Sequence, residues 1–205
     1  MAIEFKKTAI KGHFPEIWRG ECKMLPSGFK PKNTIPVGTV LHRGVLVEVN
    51  FEEMSAAVIK VAKVLRGGTT TKPRIAKGHL FAIGDVVTKN GDGSKTPSIT
   101  AIDTSNDDYD TLTLSAAYTG LAEGDALVES EAVESGTASA KYTPNAIVGA
   151  VKEFNGKGLP TIDAADEARV LYPSLSFPLL DEWLIKWQGG GGCLKSNPNI
   201  LFIKQ

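Results

Sequence analysis

The chain has 205 residues, of which 42% are apolar and 22% are charged, and its formal net charge is zero. This apolar content is sufficient for a buried core and excludes a chain that is disordered throughout. No apolar run reaches the roughly 18 residues of a transmembrane helix, and the first residues lack the apolar stretch of a secretion signal. We therefore expect a protein that is made and used as a soluble chain, without a membrane partner. Two cysteines, Cys22 and Cys193, fit a reducing compartment better than a disulfide scaffold.

The charges are unevenly distributed along the chain. Residues 1–45 hold eight Lys or Arg against three acids, whereas residues 103–135 hold nine acids and no Lys or Arg. Such a separation suits head-to-tail contacts between copies or docking of the basic end on an acidic surface; ordinary surface charge is the alternative. Nucleic-acid binding is not expected, because the basic residues form no run and lack interleaved aromatics.

Residues 1–34 are predicted to form an extended basic arm, since Pro15, Pro26 and Pro31 disfavour a long helix. The arm carries isolated aromatic side chains and an arginine that are candidate anchors on another surface. These candidates are Phe5, Phe14, Trp18, Arg19 and Phe29. The alternative is that they pack against the arm's own domain.

Residues 35–135 contain one turn signature three times: Pro36–Leu41, Ala82–Val87 and Ala122–Val128. Each has a glycine, then Thr or Asp, then the apolar start of a strand. Glycine tolerates positive φ, and Asp or Thr can hydrogen-bond to nearby backbone, so each signature predicts a turn that leads into a strand.

The segments between these turns are typical of short strands. Ile99–Ile102 and Tyr109–Leu114 alternate in polarity as half-buried strands do, and residues 58–64 are rich in β-branched side chains. About seven or eight such strands predict a barrel or a sandwich. The predicted fold is therefore mainly β, a short-stranded barrel or sandwich with an extended N-terminal arm and a small β-rich C-terminal region.

The C-terminal region spans residues 136–205. Strands are predicted over Ala146–Val151 and Ile200–Ile203, the latter tying the C-terminus into a sheet, of this or another subunit. Thr161–Leu171 is compatible with one helical turn in which Asp163 is the N-cap.

The sequence offers few candidates for chemistry. The three histidines have no zinc-type spacing, and the acidic residues 103–110 lack the glycine and glutamate of an EF-hand loop. Asx turns explain this acidic loop, with a bound cation as the alternative. Gly189–Gly192 lacks the Gly-Lys-Ser/Thr ending of a phosphate loop. We predict no catalytic residues, no metal and no cofactor, and a protein that is not an enzyme.

The middle of the chain resembles the head decoration and head fibre proteins of tailed phages and prophages. The likeness is carried by Pro36–Leu41, by Lys77–Val87, and by Ile99–Leu114 running into Gly124–Val128, within residues 34–130. It implies a β domain behind an arm that binds the capsid shell. It further implies that the partners are the major capsid protein and other copies of the chain, with a trimer expected. The location would be the virion head surface, after synthesis in the bacterial host cytoplasm.

Two other functions remain open at this point. A carbohydrate- or surface-binding β module would use Trp183 and Trp187 as an exposed aromatic face, which alternation along a strand would create; the alternative places both in the core. A small hydrolase would need a site assembled in space, with a strongly perturbed carboxylate or histidine in a cleft.

Overall fold

A computed structural model describes residues 20, 22–26, 28–90, 93–132, 137–157 and 160–204. It confirms the mainly β prediction, with 40% strand, 3% helix and curled sheets that form half-barrels. In chain order the strands are β1 (Lys23–Met24), β2 (Lys30–Pro31), β3 (Val40–Leu41), β4 (Leu46–Asn50), β5 (Ser55–Val58), β6 (Val61–Leu65), β7 (Arg74–Ala76), β8 (Val87–Lys89), β9 (Ile99–Asp103), β10 (Tyr109–Leu114), β11 (Ala126–Glu129), β12 (Ala146–Val148), β13 (Lys152–Glu153), β14 (Ala164–Leu171), β15 (Leu184–Lys186), β16 (Gly192–Leu194) and β17 (Ile200–Ile203). Two short 3-10 helices span Tyr172–Ser174 and Asp181–Trp183.

The strands form two main sheets and one small ribbon. A nine-stranded sheet has the order β15-β16-β17-β14-β12-β4-β5-β2, with β1 also paired to β14. A six-stranded sheet has the order β8-β11-β6-β7-β10-β9, and β3 pairs with β13 in the ribbon. The nine-stranded sheet takes strands from all three segments that the sequence analysis separated. The six-stranded sheet is one continuous stretch of chain between β5 and β12.

Three apolar clusters hold these sheets together. One lies under the C-terminal strands and includes Val170, Trp183 and Phe202. A second joins Phe29 to strands of the same sheet. A third, with Leu112 among its members, fills the six-stranded sheet. Along β10 buried and half-buried residues alternate, as predicted for a half-buried strand.

The three recurring signatures form the same turn. Gly38, Gly84 and Gly124 have φ of 89°, 94° and 90°. In each turn the residue after the glycine donates its backbone N–H to the carbonyl three residues earlier, at 3.1, 3.2 and 3.2 Å. This is the pattern of a type II turn, which requires positive φ at its third residue. Each glycine N–H also donates to another segment, at the carbonyls of Phe154, Ile99 and Val64 respectively.

The structure corrects two predictions. The expected helical turn over Thr161–Leu171 is wrong, because Ala164–Leu171 forms β14, which pairs with β12, β17 and β1. Tertiary pairing outweighs the helix propensity of its alanines. The single strand expected over residues 58–64 is divided between the two sheets, as β5 and β6. Strand β17 ties the C-terminal end into this subunit's own sheet, parallel to β14.

Candidate functional site

The base of the predicted arm is built into the nine-stranded sheet. Strand β1 pairs antiparallel with β14, and β2 pairs parallel with β5. Phe29 is 1% exposed, forms a bridge with Ile162 and contacts Phe51 edge-on at 5.9 Å. Phe29 therefore belongs to the core and is not an exposed anchor. The other four predicted anchors, Phe5, Phe14, Trp18 and Arg19, lie outside the described residues.

The two candidate surface tryptophans occupy different environments. Trp183 ends a 3-10 helix and is 4% exposed, within the core, whereas Trp187 is 42% exposed. Ile185, also half exposed, lies on β15, the last strand of the nine-stranded sheet. Trp183 and Trp187 therefore do not form one exposed aromatic face.

A buried ionic cluster lies where the chain passes from one sheet to the other. Lys60, between β5 and β6, has a side chain that is 1% exposed. Its Nζ lies 2.9 and 2.7 Å from the two carboxyl oxygens of Asp85 and 3.8 Å from Oε2 of Glu129. The sequence patterns did not predict this cluster; the one local signal is a lysine within an apolar strand-forming run.

Three neighbouring strands place these side chains together. Glu129 ends β11, which lies between β6 and β8. The Glu129 N–H donates to the Lys60 carbonyl at 3.0 Å, and Glu129 is in register with Val87 on β8. Asp85 precedes β8, and its carboxylate also accepts the Ala82 N–H at 2.7 Å, closing the second type II turn. The cluster therefore connects a turn, three strands and the junction between the sheets.

Two further side chains contact the carboxylate of Glu129. The Asn33 Nδ2 group donates to Glu129 Oε2 at 3.4 Å, and Lys141 Nζ lies 3.5 Å from Oε1. Asn33 also hydrogen-bonds to both the N–H and the carbonyl of Val58, so the end of the arm contacts the cluster. Burial raises the pKa of the Glu129 carboxyl, and the charge of Lys60 opposes this shift in part.

A second polar cluster contains His79, Asp110 and Lys77. His79 Nε2 lies 3.1 Å from one carboxyl oxygen of Asp110, and Lys77 Nζ lies 2.6 Å from the other. The Phe81 N–H donates to His79 Nδ1 at 3.2 Å, so Nε2 carries the proton that faces Asp110. Burial lowers the pKa of His79, although Asp110 opposes this shift. Both ring nitrogens are thus used in holding the segment before the second turn in place.

The third type II turn has an ion pair of its own. Asp125 accepts the Ala122 N–H at 2.7 Å and pairs with Lys89 at 2.9 Å. Here the two side chains are 22% and 21% exposed, and Lys89 also donates to the Gly120 carbonyl. Like Lys60 and Asp85, this is a lysine–aspartate ion pair at a type II turn, but it is partly exposed to solvent.

The acidic loop is organised by Asx turns. Asp103 accepts the Ser105 N–H at 3.0 Å and Asn106 accepts the Asp108 N–H at 2.9 Å. Hydrogen bonds from Ser105 lower the pKa of Asp103. Within the described ranges, no group of three or more His, Cys, Asp or Glu side chains is arranged to hold a metal ion. Cys22 and Cys193 are both free thiols.

No family model, curated protein or solved structure matches this chain. In the part of the chain that the structure describes, no helix is long and apolar enough to cross a membrane.

Proposed function

We propose that this chain is a non-catalytic virion structural protein that decorates the head of a tailed phage, where it binds the capsid shell as a symmetric oligomer. The resemblance of residues 34–130 to such proteins supports the proposal. The observation that carries it furthest is the way in which the base of the N-terminal arm is built into the nine-stranded sheet.

The arm base pairs with the domain at several successive points. Lys23 and Met24 pair with β14, Phe29 pairs with Ile162, and Lys30 with Pro31 pairs with β5. Backbone pairing of this kind attaches a segment to a sheet, so a contact made through the preceding residues would be tethered to the folded domain. Residues 1–19 precede this base and carry four basic residues, two acids and three aromatics. We assign capsid docking to this outer segment, with Phe5, Phe14, Trp18 and Arg19 as its anchors.

Truncation at the arm base tests the assignment. A variant without residues 1–19 keeps β1, β2 and Phe29, so we expect it to fold and to lose binding to capsid heads. Binding is measured by co-sedimentation with heads assembled from tailed-phage major capsid protein. Removal of residues 1–34 is an unsuitable variant, because it deletes the core residue Phe29 and two strands.

A matched variant separates anchoring from chain length. It keeps all residues and replaces the four anchors with alanine, and we expect the same loss of binding. Undiminished binding by both variants would contradict the docking assignment. Absence of binding by the intact chain would contradict the function itself.

Light scattering tests the oligomeric part of the proposal. A symmetric oligomer, with a trimer expected, should persist on dilution, since decoration proteins gain stability by association. A monomer at every concentration would contradict symmetric binding.

Carbohydrate or surface binding is the second candidate, and one observation favours it. Trp187 is 42% exposed beside the half-exposed Ile185 at the edge of the sheet. Aromatic faces of this kind contact sugar rings. If this function applies, Trp187→Ala should remove retention on a glycan array, whereas Trp183→Ala should unfold the protein. Equal array signals for Trp187→Ala and the intact chain would rule the candidate out.

A further inference from the structure

The buried Lys60–Asp85–Glu129 cluster is placed for a reaction as well as for an ion pair. Lysine is almost never fully buried unless it is paired. Here Lys60 Nζ contacts both oxygens of one carboxyl group, at 2.9 and 2.7 Å. A nitrogen in contact with both oxygens also lies close to the carbon between them, which is the proximity that a reaction between these groups requires.

We propose that Lys60 and Asp85 form an intramolecular isopeptide bond, with Glu129 as the residue that transfers protons. The proposal is independent of the capsid function, since it depends on the cluster alone.

The bond would form by condensation without an added reagent. The Lys60 ammonium gives a proton to Glu129, and the neutral amine attacks Cγ of Asp85 to form the N–C bond. Glu129 delivers the proton to a carboxyl oxygen of Asp85. The nitrogen gives up a second proton, the C–O bond breaks, and that oxygen leaves with both protons as water. Lys60 ends as an amide nitrogen and Glu129 returns to its starting charge.

The surroundings favour each step of this reaction. The two reacting side chains are 1% and 11% exposed, so bulk water has little access to the atoms that would react. Glu129 lies 3.8 Å from Lys60 Nζ, and burial raises the pKa of its carboxyl, which suits a group that accepts and returns a proton. Asn33 and Lys141 hold the two oxygens of Glu129 in place.

The chain contains its own matched control. Lys89 and Asp125 meet at 2.9 Å on an equivalent turn, but both are about one-fifth exposed. Among the described ion pairs, no glutamate joins this pair as Glu129 joins the other. We expect Lys89 and Asp125 to remain an ion pair. A bond at Lys60 together with none at Lys89 would therefore trace the reaction to burial and to Glu129.

The mass of the intact, denatured protein tests the proposal. We expect a deficit of one water relative to the sequence, and a branched proteolytic peptide that joins Lys60 to Asp85. Peptide assignment is required because the Asp92-Gly93 sequence can also lose water, by forming a succinimide. The full sequence mass, or a deficit located elsewhere than at Lys60 and Asp85, would overturn the proposal.

Variants assign the roles of the three residues. Lys60→Arg keeps the charge but cannot form the bond, so the branched peptide should be absent, whereas Lys89→Arg should leave it unchanged. Glu129→Gln should leave most of the protein unbonded, and a full yield of bonded protein would overturn the role of Glu129. If Glu129→Gln does not fold, Asn33→Ala, which releases one oxygen of Glu129, should lower the bonded fraction; an unchanged fraction would argue against proton transfer by a positioned Glu129.

Discussion

The second and third type II turns have the same local structure and opposite surroundings. In both, an aspartate accepts the first backbone N–H of its turn at 2.7 Å and pairs with a lysine. Asp85 meets a lysine that is 1% exposed, while Asp125 meets one that is 22% exposed. The difference shows that the local sequence determines the conformation of the turn, whereas the strands packed around the turn determine how strongly its ion pair interacts.

The junction between the sheets accounts for this difference. Lys60 lies between β5 of one sheet and β6 of the other, and its side chain is 1% exposed. Lys89 ends β8, an edge strand, and its amine lies beside the Gly120 carbonyl near solvent. Similar pairs thus experience different effective dielectric constants, and charge interactions grow as that constant falls.

Removing each aspartate should give the largest contrast. Asp85→Ala leaves a buried lysine without its nearest partner, and we expect a loss of about 3 to 5 kcal/mol in the free energy of unfolding. Asp125→Ala removes a turn hydrogen bond and a partly exposed pair, for a loss of about 1 to 2 kcal/mol. Urea unfolding followed by circular dichroism measures both. Equal losses in the two variants would contradict the role of burial. If Asp85 is covalently bonded to Lys60, the loss in Asp85→Ala should exceed that in Asp125→Ala by more.

The glycines of the same turns should respond alike. A Cβ added at Gly84 or Gly124 meets no atom within 4 Å, so positive φ is the common source of strain. We expect Gly84→Ala and Gly124→Ala each to cost about 1 to 2 kcal/mol. Gly38→Ala, in the first turn, is the matched control with the same geometry. A cost at Gly84 well above the other two would mean that the buried cluster depends on the shape of the turn.

The pH dependence of the free energy of unfolding should trace to His79, which lies before the second type II turn. Burial lowers the pKa of His79 below its ordinary value of 6.5, so the unfolded chain binds the proton more readily. This contribution to stability is present above about pH 6.5 and is lost as the pH falls below it. We expect the intact protein to lose more stability than His79→Gln between pH 7.5 and 5.5. An identical slope in the intact protein and in His79→Gln would be the contrary result.

The smallest effect should come from the lysine of the exposed pair. Lys89→Gln should lower the free energy of unfolding by about 0.2 to 1 kcal/mol, and less at high salt, because solvent ions screen a partly exposed pair. Parallel urea titrations at low and high salt measure this change. A large, salt-independent loss would show that the Lys89 pair behaves like the buried one.

Local sequence was sufficient for several elements of the fold. The Gly-Asp and Gly-Thr steps predicted the three turns, because only positive φ at the glycine closes them. Strands β10 and β17 have the predicted bounds, Tyr109–Leu114 and Ile200–Ile203.

Long-range pairing explains what local sequence could not predict. Strand β14 resembles a helical turn in isolation and becomes a strand because three partners pair with it. Lys60 and Asp85 are 25 residues apart, so only the sheet order brings them together. The burial of Phe29 likewise depends on a bridge to Ile162, far along the chain. Spacing between neighbours in sequence carries no signal for such contacts.

The two ends of the described chain leave the nine-stranded sheet in the same direction. Strand β1 runs antiparallel to β14 and β17 runs parallel to it, so the first residue of β1 and the last residue of β17 both face the C-terminal end of β14. Gly20 accordingly lines a cleft with Arg169 and Leu201. A fluorescent protein fused after β17 would therefore sterically hinder a partner that binds near the arm base. The exposed hairpin tip at residues 104–108, between β9 and β10 of the other sheet, is the better place for such a label.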